Sequence, residues 1–138
     1  MSLFKVFDVA GSAMNAQSVR MNVTASNLAN AGNVSGDPDK VYRAKQPVFS
    51  TFSASLADQS SGAQGVRLEG VVESAAPLQM RYQPDHPEAD ADGNVYATNV
   101  STVEEMVNMM SASRSYKNNV EMINTTKDLL LQTLSLGR

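Results

Sequence analysis

Apolar residues recur at steps of three and four at both ends of the chain, and at steps of two in the stretches between. The first stripe is Leu3, Phe7, Ala10, Met14, Gln17, Met21, Ala25 and Leu28. The second is Met106, Met109, Ser113, Tyr116, Val120, Ile123, Lys127, Leu130 and Leu134. Side chains at that spacing share one helix face, and each stripe needs a partner to cover it. The pattern predicts an α+β fold: long N- and C-terminal helices pair as an antiparallel coiled coil, with a small β domain inserted between them. Residues 1–33 and 99–138 form a discontinuous helical domain, and residues 34–98 form the β domain.

The first helix is expected over about 3–30, with Ser2 as its N-cap and Asn30, Ala31 and Gly32 at its end, because glycine commonly follows the last helical turn. Its exposed positions, Asn15, Gln17, Ser18, Asn22, Ser26 and Asn27, are short and uncharged where a solvated helix carries Glu and Lys. Such a face suits packing in an assembly. Strands are expected at about 41–52, 66–73 and 78–82, with a short one at 95–97. Val66, Leu68 and Val72 alternate with Arg67, Glu69 and Glu73, and Leu78, Met80 and Tyr82 alternate with Gln79 and Arg81, the period of a sheet with one wet face. The Ser-, Ala- and Gly-rich residues 53–65 read as a mobile loop, and 83–94 as a run of turns. The second helix is expected over about 100–136, some 50 Å long. Ser101 is its candidate N-cap, Glu104 completes a capping box, and Glu105 adds favourable charge.

Leu3, Phe4, Val6, Phe7, Val9 and Ala10 are apolar around most of one helix, as are Leu129, Leu130, Leu131, Leu134 and Leu136 around the other. In an antiparallel pair these segments lie at the same end. A two-helix seam buries one stripe per helix, so this end presents apolar surface that calls for another chain. The termini are therefore expected to become ordered between subunits. Leu3, Phe4, Phe7, Met14, Met21, Leu28, Met106, Met109, Tyr116, Val120, Ile123, Leu130 and Leu134 are the candidate packing and interface residues.

Composition removes several other functions. The net charge is −3, and the 11 Lys and Arg residues are scattered singly, which supports neither nucleic-acid binding nor a polybasic membrane patch. With no cysteine, disulfides, thiolate metal sites and cysteine catalysis are excluded. Asp8 and Gly11 interrupt the N-terminal apolar patch, so no secretory signal is expected. No run approaches the ~20 apolar residues of a membrane span, which argues against direct membrane insertion.

The segment Glu88, Asp90, Asp92, Gly93 matches the opening positions of a calcium loop, but Asn99 stands where the bidentate Glu belongs. An Asx-rich turn accounts for it better. His86, the sole histidine, has no accompanying nucleophile motif and reads as a turn residue bonded to backbone. Neither catalytic nor metal-binding residues are assigned, and no cofactor. The methionines on the stripes fill irregular gaps between helices and also suit unlike neighbours. Arg114 and Lys127 lie on or beside the second stripe, where they either snorkel or set register.

Four ordered segments carry a family resemblance. They are Ser26-Asn27-Leu28-Ala29-Asn30; His86-Pro87-Glu88-Ala89-Asp90 through Gly93; Asn99-Val100 through Val107; and Ala112-Ser113-Arg114-Ser115-Tyr116 with Asn119-Val120. Asn124, Lys127 and Leu134 to Gly137 continue the match. Together they resemble the rod and hook protein family of bacterial flagella, with Asn27, Ala29 and Asn30, and His86, Pro87, Asp90 and Gly93, as the motif residues. Asn33-Val34, Ser115, Lys117 and Asn118 depart from the common pattern without breaking the stripe. The resemblance implies a structural subunit of the proximal rod, exported through the flagellar type III apparatus without a cleaved signal and located in the basal body within the periplasm. Its implied partners are other rod proteins, copies of itself and the MS-ring/rod junction protein FliE. A competing reading is a coiled-coil adaptor, responsive to calcium through the Asp-rich turn.

Overall fold

The computed structural model describes residues 3–53 and 64–137. In chain order the elements are α1 (Leu3–Ala29), β1 (Val34–Ser35), β2 (Lys45–Ser53), β3 (Gln64–Glu73), β4 (Gln79–Tyr82), β5 (Asn94–Ala97) and α2 (Thr102–Leu136). The expected Ser2 cap lies outside the described residues, as do most of the expected mobile loop and the side chains of Leu3 and Phe4.

Both helices fall where the apolar period puts them. At the start of α2, Ser101 is extended (φ −92°, ψ 110°) and its hydroxyl accepts from the Glu104 amide at 3.4 Å, which satisfies one orphan N–H of the first turn. The end of α1 closes differently from expectation. Gly93 is the one described residue with positive φ, so Gly32 does not supply a left-handed turn. Instead the last amides tighten to i,i+3 bonds, Asn30 to Asn27 and Ala31 to Leu28. The Asn30 amide side chain donates to the Ser26 carbonyl at 2.8 Å.

The strands form two antiparallel sheets. One has the order β1-β5-β4, the other is the β2–β3 hairpin. Only two residues long, β1 carries no alternation to read, and it exists because Val34 and Ser35 pair with Ala97 and Tyr96. The strand expected from Val41 starts at Lys45, since the backbone of Ala44 is already engaged elsewhere. The hairpin pairs as far as Ser53 with Gln64, so both ends of the expected loop are strand.

One expectation about the hairpin is corrected. Register shifts between Val48 and Phe49, where Gly70 and Leu68 are the successive partners, so Glu69 is an extra residue in β3. A bulge of this kind reverses the parity of the residues beyond it, which separates Val72 from the face of Val66 and Leu68. Nor does β4 have a covered face: all four of its residues are exposed.

The core is made of small side chains. Ala10, Ala16, Val41, Ala44, Val95, Ala97 and Ala112 are its apolar members, and the largest fully buried side chains are Val95 and Asn27. The hairpin and α2 both pack on α1, while α2 packs on no described element except α1. On α2 the less exposed positions are Glu105, Asn108, Met109, Ala112, Ser113, Ser115, Tyr116, Asn119, Val120, Ile123, Thr126 and Leu130. They include Met109, Ser113, Tyr116, Val120, Ile123 and Leu130 of the apolar stripe, whereas Met106, Lys127 and Leu134 of that stripe are exposed. Ala112 and Thr126 are the buried members.

Candidate assembly interface

Two asparagines join the helical and β parts. Asn27, 1% exposed, was expected on the open face of α1 but points into the junction. Its Nδ2 donates to the Lys45 carbonyl at 2.8 Å, and its Oδ1 accepts from the Lys45 amide at 2.9 Å and from the Tyr42 hydroxyl at 2.9 Å. A side-chain amide thus takes the place of a neighbouring strand at the base of β2. Asn99, just before α2, holds the preceding residue. Its Oδ1 accepts from the Ala44 amide at 2.7 Å, and its Nδ2 donates to the Ala76 carbonyl at 2.9 Å. Ser74 N–H donates to the Ala44 carbonyl at 2.7 Å, and Thr98 N–H donates to the Asn33 carbonyl at 3.2 Å, tying the end of α1 to the start of α2. The bonding roles of Asn99 and Tyr42 were not read from the sequence. An uncharged amide beside each helix terminus was the available signal.

Farther along α1, the Ser12 hydroxyl accepts from the Val66 amide at 3.1 Å and seats the hairpin on the helix. The hairpin's own surface carries a charged contact. The Ser50 hydroxyl and the Arg67 guanidinium both donate to Glu69, holding its carboxyl below the usual range, with the Ser50 bond the larger cause. Asp37 is likewise lowered, first by the Asp39 amide and then by Lys40.

The Asp-rich segment is a closed turn between β4 and β5. Asp90 Oδ1 accepts from the amides of Asp92 and Asn94, at 2.9 and 2.8 Å, and His86 Nδ1 accepts from the Glu88 amide at 3.1 Å. Backbone pairing of Gln83 with Gly93 and of Ala89 with His86 completes it. Gly93, at φ +80°, occupies a conformation that L side chains rarely adopt. Gly36 packs against this turn: a Cβ there would stand 2.5 Å from the Glu88 carbonyl oxygen. Among the described residues no group of three acidic or histidine side chains could hold a metal ion.

The other candidate residues divide by exposure. Phe7, Met14, Met21, Leu28, Met109, Tyr116, Val120, Ile123 and Leu130 are half-buried, whereas Met106 and Leu134 are exposed. Arg114 and Lys127 both face solvent. Of the family-motif residues besides Asn27, Asn30, His86, Asp90 and Gly93 are half-buried, and Ala29 and Pro87 are exposed. On α2, Val103, Met106, Val107 and Met110 are exposed along one face of the first turns, and Leu129, Leu131, Leu134 and Leu136 are exposed around its end. No described helix is long and apolar enough to cross a membrane.

A long C-terminal helix with uncovered apolar residues, packed on an N-terminal helix that side-chain amides lock to a small β insert, defines a structural subunit with surface to offer other chains. Comparison with known proteins gives this class its family. Residues 7–36 match the family described as "Flagella basal body rod protein", and residues 91–136 match "Flagellar basal body rod FlgEFG protein C-terminal". Over all 138 residues and the whole of each relative, the chain is 52% identical to a protein named "Flagellar basal-body rod protein FlgC" from Salmonella typhimurium and 51% identical to one of that name from Escherichia coli O157:H7. A Buchnera aphidicola (subsp. Acyrthosiphon pisum) protein of the same name is 40% identical across 99% of both chains. The chain belongs to the flagellar basal-body rod protein family, most like its FlgC members, and is a structural subunit of that rod, not an enzyme. The adaptor reading finds no support in these relatives.

Proposed function

We propose that the chain is a subunit of the proximal part of the rod and polymerises through its terminal helices. Residues 1–33 and 99–138 act as one discontinuous helical domain, paired as an antiparallel coiled coil, and residues 34–98 as a β domain held at its open end. The Thr98–Asn33 bond supports the antiparallel sense, because it brings the end of α1 to the start of α2. One observation carries the reading: the core holds mainly alanines and valines, while Met106, Met110, Leu129, Leu134 and other large apolar side chains face outward. Burying such residues contributes about 1.5–3 kcal/mol each, and in one copy of the chain this contribution is largely unrealised. Leu3, Phe4, Phe7, Met14, Met21, Leu28, Met106, Met109, Tyr116, Val120, Ile123, Leu130 and Leu134 form the helix packing and subunit contacts.

The small-residue core also suits passage through the flagellar type III export apparatus without a cleaved signal, since little burial must be undone to thread the chain. Its destination is the rod within the periplasm. Its neighbours there are other rod proteins, copies of itself and the junction protein FliE. Deleting residues 3–10 is expected to leave a soluble protein that keeps its β domain but does not enter rods, measured by immunoblotting of purified basal bodies. Incorporation of the truncated chain at the wild-type level overturns the proposal.

A further inference from the structure

A cleft of about 410 Å³ lies where the hairpin, α1 and the first turns of α2 meet. Ala13, Ala16, Pro47, Phe49 and Val66 give it apolar walls, and Arg20 stands among its lining residues. Two features mark it as unfinished. The Oε1 atom of Gln17, which also lines the cleft, is buried and accepts no hydrogen bond from any described residue, an unfavourable state for a desolvated acceptor. Arg20 has no hydrogen-bond or ion-pair partner among the described residues. An occupant that matches these features is apolar, brings one hydrogen-bond donor and presents negative potential.

The end of α2 has all three properties. Leu129, Gln132 and Leu136 stand at i, i+3 and i+7 and so share a face, with both leucines exposed, Leu136 at 85%. Gln132 is exposed and lies between them, offering amide donors suited to Gln17 Oε1. The last turn of α2 contains no basic residue, so the negative end of its helix dipole is left for Arg20 to meet.

We propose that the Leu129–Gln132–Leu136 face of one copy seats in this cleft of a second copy. A chain cannot fill its own cleft. Glu105 and Asn108 line the cleft, and about 27 residues of continuous helix, roughly 40 Å, separate them from the tail. The contact is therefore between chains and joins unlike surfaces, the tail of one copy and the cleft of another. This inference rests on the rod-subunit reading and adds to it the pair of surfaces that meet.

The natural absence of cysteine makes a direct test available. Full-length Ala13→Cys is mixed with full-length Leu136→Cys under mild oxidation, and the mixed disulfide is quantified by mass spectrometry. Ala13→Cys mixed with Ser111→Cys, on an exposed position of α2, serves as reference, and circular dichroism verifies that each variant is folded. The expected yield of the Ala13–Leu136 pair exceeds the reference about tenfold, equivalent to about 1.4 kcal/mol of preference. Equal yields, or a preference for Ser111, overturn the inference. If equal yields are found while the 3–10 deletion still blocks rod entry, this contact fails and the rod-subunit reading stands.

Discussion

The two long helices have similar apolar stripes but different surroundings. α1 is covered on two sides, by α2 and by the hairpin, and buries polar groups such as Thr24 and Asn27 in doing so. Among its described side chains, those left open are Asp8 and the small or uncharged Gly11, Asn15, Asn22, Ala25, Ser26 and Ala29. α2 is covered on one side and presents methionine, valine and leucine on the other. A similar spacing thus marks an internal scaffold in one helix and an outward surface in the other. The difference comes from what the β insert covers, and it covers α1.

The comparison is most sharply tested at Asn27. Asn27→Ala removes three hydrogen bonds and leaves both backbone groups of Lys45 without that partner, so unfolding should become easier by about 3 kcal/mol, measured by urea denaturation of the monomer. A loss below about 0.5 kcal/mol, typical of an uninvolved surface site, would remove the distinction between the helices.

On α2 the opposite outcome is expected. The double variant Met106→Gln, Met110→Gln should change monomer stability by no more than about 0.5 kcal/mol, because both side chains are exposed. The same variant should lower incorporation into basal bodies, scored by immunoblotting. Normal incorporation would mean that this face is not a subunit contact.

The smallest effect is a dependence on acid confined to the covering of α1. Because the carboxyl of Glu69 is lowered in the folded hairpin, its contribution is complete above the ordinary value of 4.5 and disappears as pH falls through the lower folded value. Hydrogen exchange should therefore show the hairpin loosening below about pH 4.5 in a way that Glu69→Gln abolishes. Salt should weaken the same effect, since the pair is exposed.

The extent of both helices could be read from the sequence because a 3.6-residue period over some thirty residues leaves few alternatives. Of the second stripe, Met109, Ser113, Tyr116, Val120, Ile123 and Leu130 are half-buried while Met106, Lys127 and Leu134 are exposed, and the two buried positions of α2, Ala112 and Thr126, are too small or polar to stand out in an apolar pattern. The bulge at Glu69 and the two-residue β1 depend on pairing with distant strands and leave no local periodicity. Asn27 was visible as part of a motif, but its role required knowing that Lys45 returns to meet it. In the turn, by contrast, Asp90 and His86 bond to backbone only two to four residues away, and that chemistry was legible from spacing alone.

The amide of Asn27 has one more consequence. A β ribbon with an open edge invites another ribbon to add to it, which is the route to fibrillar aggregation. By holding both the N–H and the C=O of Lys45, Asn27 caps that edge at its base. A protein whose work is to polymerise thereby has one route to the wrong polymer blocked at this point, with growth left to its helices.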